Sequence, residues 1–143
     1  MAFLIDANVL SELRKRNRAD PNVRAWYEYT ESAELFTSVL VVGEIRQGIE
    51  RKRAKDPVFA AKLEQWLRGI LRDFQSNILP VTQEVAELWG SLSLSQTMAE
   101  PDGLIAATAL CHNLTLVSRN LIDFRRTGVK TLNPWHWKLS NPQ

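Results

Sequence analysis

The sequence holds one cysteine, two histidines and two methionines in 143 residues. Cys111 has no partner for an internal disulfide, so nothing in the chain demands an oxidising compartment, and it reads as a small apolar core residue. His112 and His136 stand far apart and no second cysteine exists, which removes the soft ligands a zinc site needs. No apolar run approaches the roughly 18 residues that span a bilayer, and none has a signal peptide's charged, apolar and small-residue layout. A cytoplasmic protein without membrane contact is expected. Repeats, low-complexity tracts and linkers are also missing, so residues 1–143 read as a single domain with a short aromatic tail from about residue 133. A net charge of +2 does not by itself point to nucleic acid.

What the chain does contain is ordinary in amount, 45% apolar and 24% charged, and informative in order. Ala2, Phe3, Leu4 and Ile5 form a short buried-strand pattern that stops at Asp6, and the periodicity of Val9, Leu10 and Leu13 then predicts a helix over 7–14. Asp20-Pro21 and Asp56-Pro57 are cap-plus-proline helix starts. The second opens an amphipathic stretch of Phe59, Leu63, Trp66, Ile70 and Phe74. Residues 34–37 and 78–81 read as strands. Thr37 or Ser38 can cap a helix running to about residue 50, and Thr82 can cap another through Leu92. Pro101 opens an alanine-rich helix over 102–112, residues 114–118 alternate like a strand, and 129–132 add an edge strand ended by Pro134. Strands alternating with helices give an α/β fold, three layers deep, around a parallel sheet of four or five short strands. Trp26, Trp66 and Phe74 are expected in the core rather than at an interface.

Four acids interrupt or border apolar stretches: Asp6, Glu44, Asp102 and Asp123. Each has a plain explanation. Asp6 can cap the first helix, Asp102 can stabilise a helix N-terminus, Asp123 can form a turn, and Glu44 can pair with Arg46 or Arg119. Jointly they say more, because Asp6, Asp102 and Asp123 all fall at or just beyond the carboxyl edge of parallel strands, where open α/β sheets bind ligands. Carboxylates within ~5 Å repel by about 3 kcal/mol per pair at an effective dielectric of ~20. Such a group persists only if protonated or neutralised by a cation. All-oxygen ligation selects Mg²⁺, with Mn²⁺ as a substitute, over zinc, and a carboxylate-held Mg²⁺ suits phosphoryl chemistry. Two basic clusters, Arg14-Lys15-Arg16 with Arg18 and Arg51-Lys52-Arg53 with Lys55, follow helices that begin near these acids. They fit solvated helix ends and equally a phosphate-tracking surface.

Four segments carry a family resemblance: Leu4-Ile5-Asp6-Ala7-Asn8-Val9-Leu10, Thr37-Ser38-Val39-Leu40-Val41-Val42-Gly43-Glu44-Ile45, Pro101-Asp102-Gly103-Leu104-Ile105-Ala106-Ala107, and Leu114-Thr115-Leu116-Val117-Ser118-Arg119-Asn120-Leu121-Ile122-Asp123. In this order they resemble the signatures of PIN-domain ribonucleases, and Leu132-Asn133-Pro134-Trp135 resembles the VapC/FitB branch of bacterial toxin–antitoxin systems. Ala7 stands where members often carry threonine. The resemblance implies an Mg²⁺-dependent endoribonuclease that cuts structured RNA such as tRNA or rRNA and leaves 3′-hydroxyl and 5′-phosphate ends. Asp6, Glu44, Asp102 and Asp123 would hold the metal. Asn8, Ser38 and Asn120 would orient carboxylates or water, and Arg14 and Arg119 would contact phosphate. It also implies a homodimer silenced by a small DNA-binding antitoxin. A phosphatase of the haloacid-dehalogenase type needs an acid where Asn8 stands, and a receiver domain needs one within 78–82. The alternative left is a degenerate domain that binds RNA or protein without cutting.

Overall fold

A computed structural model describes residues 1–93 and 100–138. Five short strands, β1 (Phe3–Ile5), β2 (Leu35–Ser38), β3 (Ile78–Leu79), β4 (Thr115–Val117) and β5 (Thr131–Leu132), form a sheet of order β3-β2-β1-β4-β5 in which every neighbouring pair is parallel. Six helices flank it in three layers: α1 (Ala7–Leu13), α2 (Pro21–Tyr29), α3 (Val39–Lys55), α4 (Pro57–Phe74), α5 (Gln83–Ser93) and α6 (Glu100–Cys111). The fold class read from the sequence is the one observed.

The start signals work as hydrogen bonds. Asp20 Oδ1 accepts from the amides of Asn22 and Val23, Asp56 Oδ1 from Phe59, and Thr82 Oγ1 from Val85. Ser38, not Thr37, caps α3, its Oγ accepting from Leu40 N at 3.0 Å. Thr37 Oγ1 instead donates to Ile5 O, tying β2 to β1. Several boundaries differ from the pattern: β2 lies one residue later than expected, and β4 and β5 are shorter. Helix α3 continues to Lys55 because Arg46 and Arg53 bind Glu50 along it and Glu64 on α4. β3 stops at Leu79, since Pro80 has no N–H to extend a ladder. Helix α6 opens two residues early, at Glu100, with Pro101 in its first turn.

Phe3, Leu4 and Ile5 are almost fully buried, and so are Leu116 and Val117 beside them. Both faces of the central strands are therefore covered, which is why they read as unbroken apolar runs. Trp26 lies fully buried against Phe3, ring centres 5.5 Å apart and planes nearly perpendicular. Trp66 and Phe74 are only partly buried and pack at the core's margin. No helix among the described residues is long and apolar enough to cross a membrane.

Strand order places the site. The chain runs from β1 outward through β2 to β3, then returns to the other side of β1 as β4 and β5. β1 and β4 thus flank the point where the winding reverses, and a crevice opens there at the carboxyl ends of the strands.

Candidate active site

Asp6 follows the last residue of β1 and is almost fully buried at the reversal. It caps α1, Oδ1 accepting from Ala7 N at 2.8 Å, while its backbone N–H donates to Val117 O across the gap. Its other oxygen, Oδ2, accepts from Ser118 Oγ at 2.8 Å. Capping and site placement are therefore one arrangement. Both hydrogen bonds favour the carboxylate, but burial outweighs them and raises the pKa.

Ser118 follows β4 directly and is fully buried. Its oxygen also accepts from Asn8 Nδ2 at 3.1 Å, and Asn8 Oδ1 accepts from Arg119 N at 3.2 Å. A directed chain thus runs from the Arg119 amide through Asn8 and Ser118 to Asp6. Asn133 Nδ2 completes the brace by donating to Arg119 O at 3.4 Å. Arg119 holds its guanidinium 4.8 Å from the centre of the Trp135 ring, and Asn22 Nδ2 donates to Trp135 O. The aromatic segment after β5 therefore supports one cation beside the crevice.

Glu44 lies in the second turn of α3, half-buried. Its Oε1 is buried without a hydrogen-bond partner among the described residues. Burial first, then the charges of Asp6 and Asp102, push its pKa from an ordinary 4.5 up to about 7. Asp102 sits in the first turn of α6, whose direction into β4 brings its N-terminus to the carboxyl edge of the sheet. Burial, then Asp6 and Asp123, raise its pKa as well. Asp6, Glu44 and Asp102 therefore share one electrostatic neighbourhood on the same side of the sheet. Asp123, exposed in the turn before Phe124, acts on it through Asp102.

Three of these acids together do not close into a finished metal cage among the described residues. The donor set nonetheless suits a hard divalent cation. It offers only carboxylate oxygens, their mutual repulsion is unrelieved, and one buried oxygen of Glu44 is unsatisfied.

The other residues separate. Ser38 is occupied in capping α3, and Asn120 is exposed in the turn after β4. Arg14, at the end of α1, faces the rings of Phe59 and Trp66 and lines a cavity that also contains Glu44. Sequence reasoning missed Ser118 as a support of Asp6. Its one signal was a small hydroxyl directly after the apolar run that ends at Val117.

The PIN domain family matches residues 3–130. Toxin FitB of Neisseria gonorrhoeae is 35% identical, covering 94% of this chain and 99% of its own length. VapC ribonuclease Y4jK of Sinorhizobium fredii is 28% identical over 93% and 97%. A toxin-antitoxin complex from Klebsiella pneumoniae contains a chain that superimposes with a TM-score of 0.70 at 27% identity, covering 94% of this chain and 98% of that one.

Proposed function

Since the chain belongs to the PIN-domain family, we propose that it is the toxin of a type II toxin–antitoxin pair and acts as an Mg²⁺-dependent endoribonuclease on structured RNA. Full-length similarity to a toxin and to a named ribonuclease supports the class. The single observation that carries the chemistry is Glu44, a carboxylate with a buried unpartnered oxygen, its pKa raised to about 7 beside Asp6 and Asp102. Above that pH the charge is costly unless a cation offsets it.

Asp6, Glu44, Asp102 and Asp123 would hold the ion. Such an ion, Mg²⁺ or Mn²⁺, would supply positive charge to offset that of the phosphate and would lower the pKa of a bound water. The chain's own residues do the rest. Ala7 N and Ser118 Oγ fix both oxygens of Asp6, so the carboxylate does not rotate away from its task. Arg119, steadied by Trp135, offers a cation to a phosphate of the strand being cut. Hydrolysis leaves 3′-hydroxyl and 5′-phosphate ends.

An antitoxin is the expected partner, as the toxin-antitoxin complex from Klebsiella pneumoniae supports; that it is small and DNA-binding, and that the toxin is a homodimer, follow from the family resemblance. The test is Asp102→Asn. The variant should fold, with an unchanged circular dichroism spectrum, and lose Mg²⁺-dependent cleavage of tRNA or rRNA by at least 100-fold, on the order expected when one charge-stabilising group is removed. Undiminished cutting by the purified variant would reject the carboxylate site as the source of cleavage, and a purified wild-type protein that cuts no RNA with Mg²⁺ would favour an RNA- or protein-binding role.

A further inference from the structure

Arg119 is held by an aromatic ring rather than by an acid. Its guanidinium lies 4.8 Å from the centre of the Trp135 ring. Among the described residues no ion pair or hydrogen bond engages that guanidinium. Arg46 and Arg53, by contrast, direct their donors to Glu50 and Glu64. The acid that senses Arg119 is Glu12, whose pKa is lowered by the Lys15 hydrogen bond first, then by the Asp20 amide, and last by the Arg119 charge. Both Glu12 oxygens are nonetheless taken, one by Lys15 Nζ at 2.9 Å and the other by Asp20 N at 2.8 Å. An aromatic face attracts a cation but accepts few of its hydrogen bonds, so the donors of Arg119 stay available.

The ring itself is fixed from two sides. Asn133 uses both ends of its amide: Oδ1 accepts from Trp135 N at 2.9 Å and opens the 3₁₀ turn Pro134–His136, while Nδ2 donates to Arg119 O at 3.4 Å. The circuit closes on itself, from the Arg119 backbone through Asn133 to Trp135 and from the indole back to the Arg119 guanidinium. On the other side, Asn22 Nδ2 of α2 donates to Trp135 O at 2.8 Å. Two residues further on, the buried Trp137 places its ring 5.4 Å from that of Tyr29, also on α2. Just before the turn, Ser118 N donates to Leu132 O. A segment that only joined the sheet to α2 would need these backbone bonds and Trp137. The indole of Trp135 is only partly buried and adds a platform for one exposed charge. That charge belongs to the residue after Ser118, whose hydroxyl holds Asp6.

We propose that Trp135 and Asn22 are positioning residues: the indole holds the Arg119 side chain in advance where it meets a phosphate beside the cut, and α2, through Asn22, holds the indole. Neither residue touches RNA. An unsupported arginine surrenders its side-chain freedom on meeting a phosphate, whereas here folding has already ordered it, so less is lost on binding. This rests on the nuclease reading above and deepens it, by assigning the segment 133–137 a task at the site.

The test is a double-mutant cycle on RNA affinity, read by fluorescence anisotropy with the EDTA-treated full-length protein and a fluorescein-labelled RNA hairpin. Arg119→Gln should weaken binding about 20-fold, as loss of a charged hydrogen bond to phosphate does. Trp135→Leu should weaken it about fivefold, the scale of an exposed cation–π contact, and Asn22→Ala by less. Trp135→Phe keeps a ring face and should recover most of the affinity. In the Arg119→Gln background, Trp135→Leu and Asn22→Ala should cost nothing further, because their contribution runs through the guanidinium. A merely structural role would persist there. Losses that remain in full in that background, wild-type affinity in Trp135→Leu, or a wild-type protein that does not bind the hairpin would each overturn the assignment. If Trp135→Leu does not fold, Asn22→Ala decides by the same comparison. A coupled cycle in a protein that cuts no RNA with Mn²⁺ keeps the positioning role and rejects the nuclease reading. An uncoupled cycle in a protein that cuts rejects the positioning role and leaves the nuclease reading standing.

Discussion

Ser118 Oγ donates a 2.8 Å hydrogen bond to Asp6 Oδ2, joining two residues 112 positions apart at the point where the sheet reverses its winding. The bond is fully buried, and Asn8 holds the serine from behind. Removing it frees one oxygen of a buried carboxylate. Ser118→Ala should therefore cost about 1–3 kcal/mol of stability, measured by urea unfolding in EDTA. It should lower Mn²⁺ affinity or cleavage rate by about 10- to 100-fold, as losing the support of a metal ligand does. Ser118→Thr, which keeps the hydroxyl, should recover most of the activity; equal losses in both variants would argue that packing alone matters there.

Glu44 makes the stability of the metal-free protein depend on pH. Its folded-state pKa, about 7, lies above its ordinary 4.5, so the contribution to stability is fully present below about pH 4.5 and is lost as pH rises through 7. A shift of this size corresponds to roughly 3 kcal/mol in full. Glu44 is half-buried and partly screened by water, so about 1 kcal/mol is expected. Glu44→Gln should consequently raise the Tm of EDTA-treated protein by about 4 °C at pH 8 and leave it unchanged near pH 4.5. A gain independent of pH would show that the carboxylate's charge is not the cause.

Gly103 allows Asp102 to sit where it does. A Cβ at this position would lie 2.9 Å from Cδ1 and 3.0 Å from Nε1 of Trp89 on α5. Gly103→Ala must therefore move the indole or lift the first turn of α6, carrying Asp102 with it. The expected cost is about 1–3 kcal/mol in thermal or urea melts, with a larger proportional loss of cleavage. Adding Trp89→Leu should restore much of both by making room. Wild-type cleavage in Gly103→Ala would show that Asp102 tolerates the displacement.

The sequence and the structure agree most closely where a local signal suffices. Apolar runs ending in a polar residue located the central strands, and Asp-Pro pairs located the starts of α2 and α4, because capping is settled within three residues. The acids were legible for a related reason: Asp6 and Asp102 stand at element boundaries that the pattern itself defines. Ser118 was not, since its importance comes from Asp6 and Asn8, more than a hundred positions away, and no periodicity encodes that pairing. Trp66 illustrates the converse. Helical spacing placed it on an apolar face, but spacing cannot distinguish a core residue from one lining a groove beside Arg14. Asp123 follows a short strand by several residues, and its exposure in a turn depends on loop geometry that the residue types alone leave open.

The claim beneath all of these is that acids from three separate elements create a negative pocket that a hard divalent ion relieves. Thermal melts of the full-length protein in EDTA and in millimolar Mn²⁺ test it most directly, because a ligand that binds only the folded state stabilises it by about 2.7 kcal/mol at a hundred times its dissociation constant. Mn²⁺ should raise the Tm of the wild-type protein by several degrees and that of Asp102→Asn by much less. Identical melting curves for the wild-type protein with and without Mn²⁺ would contradict it.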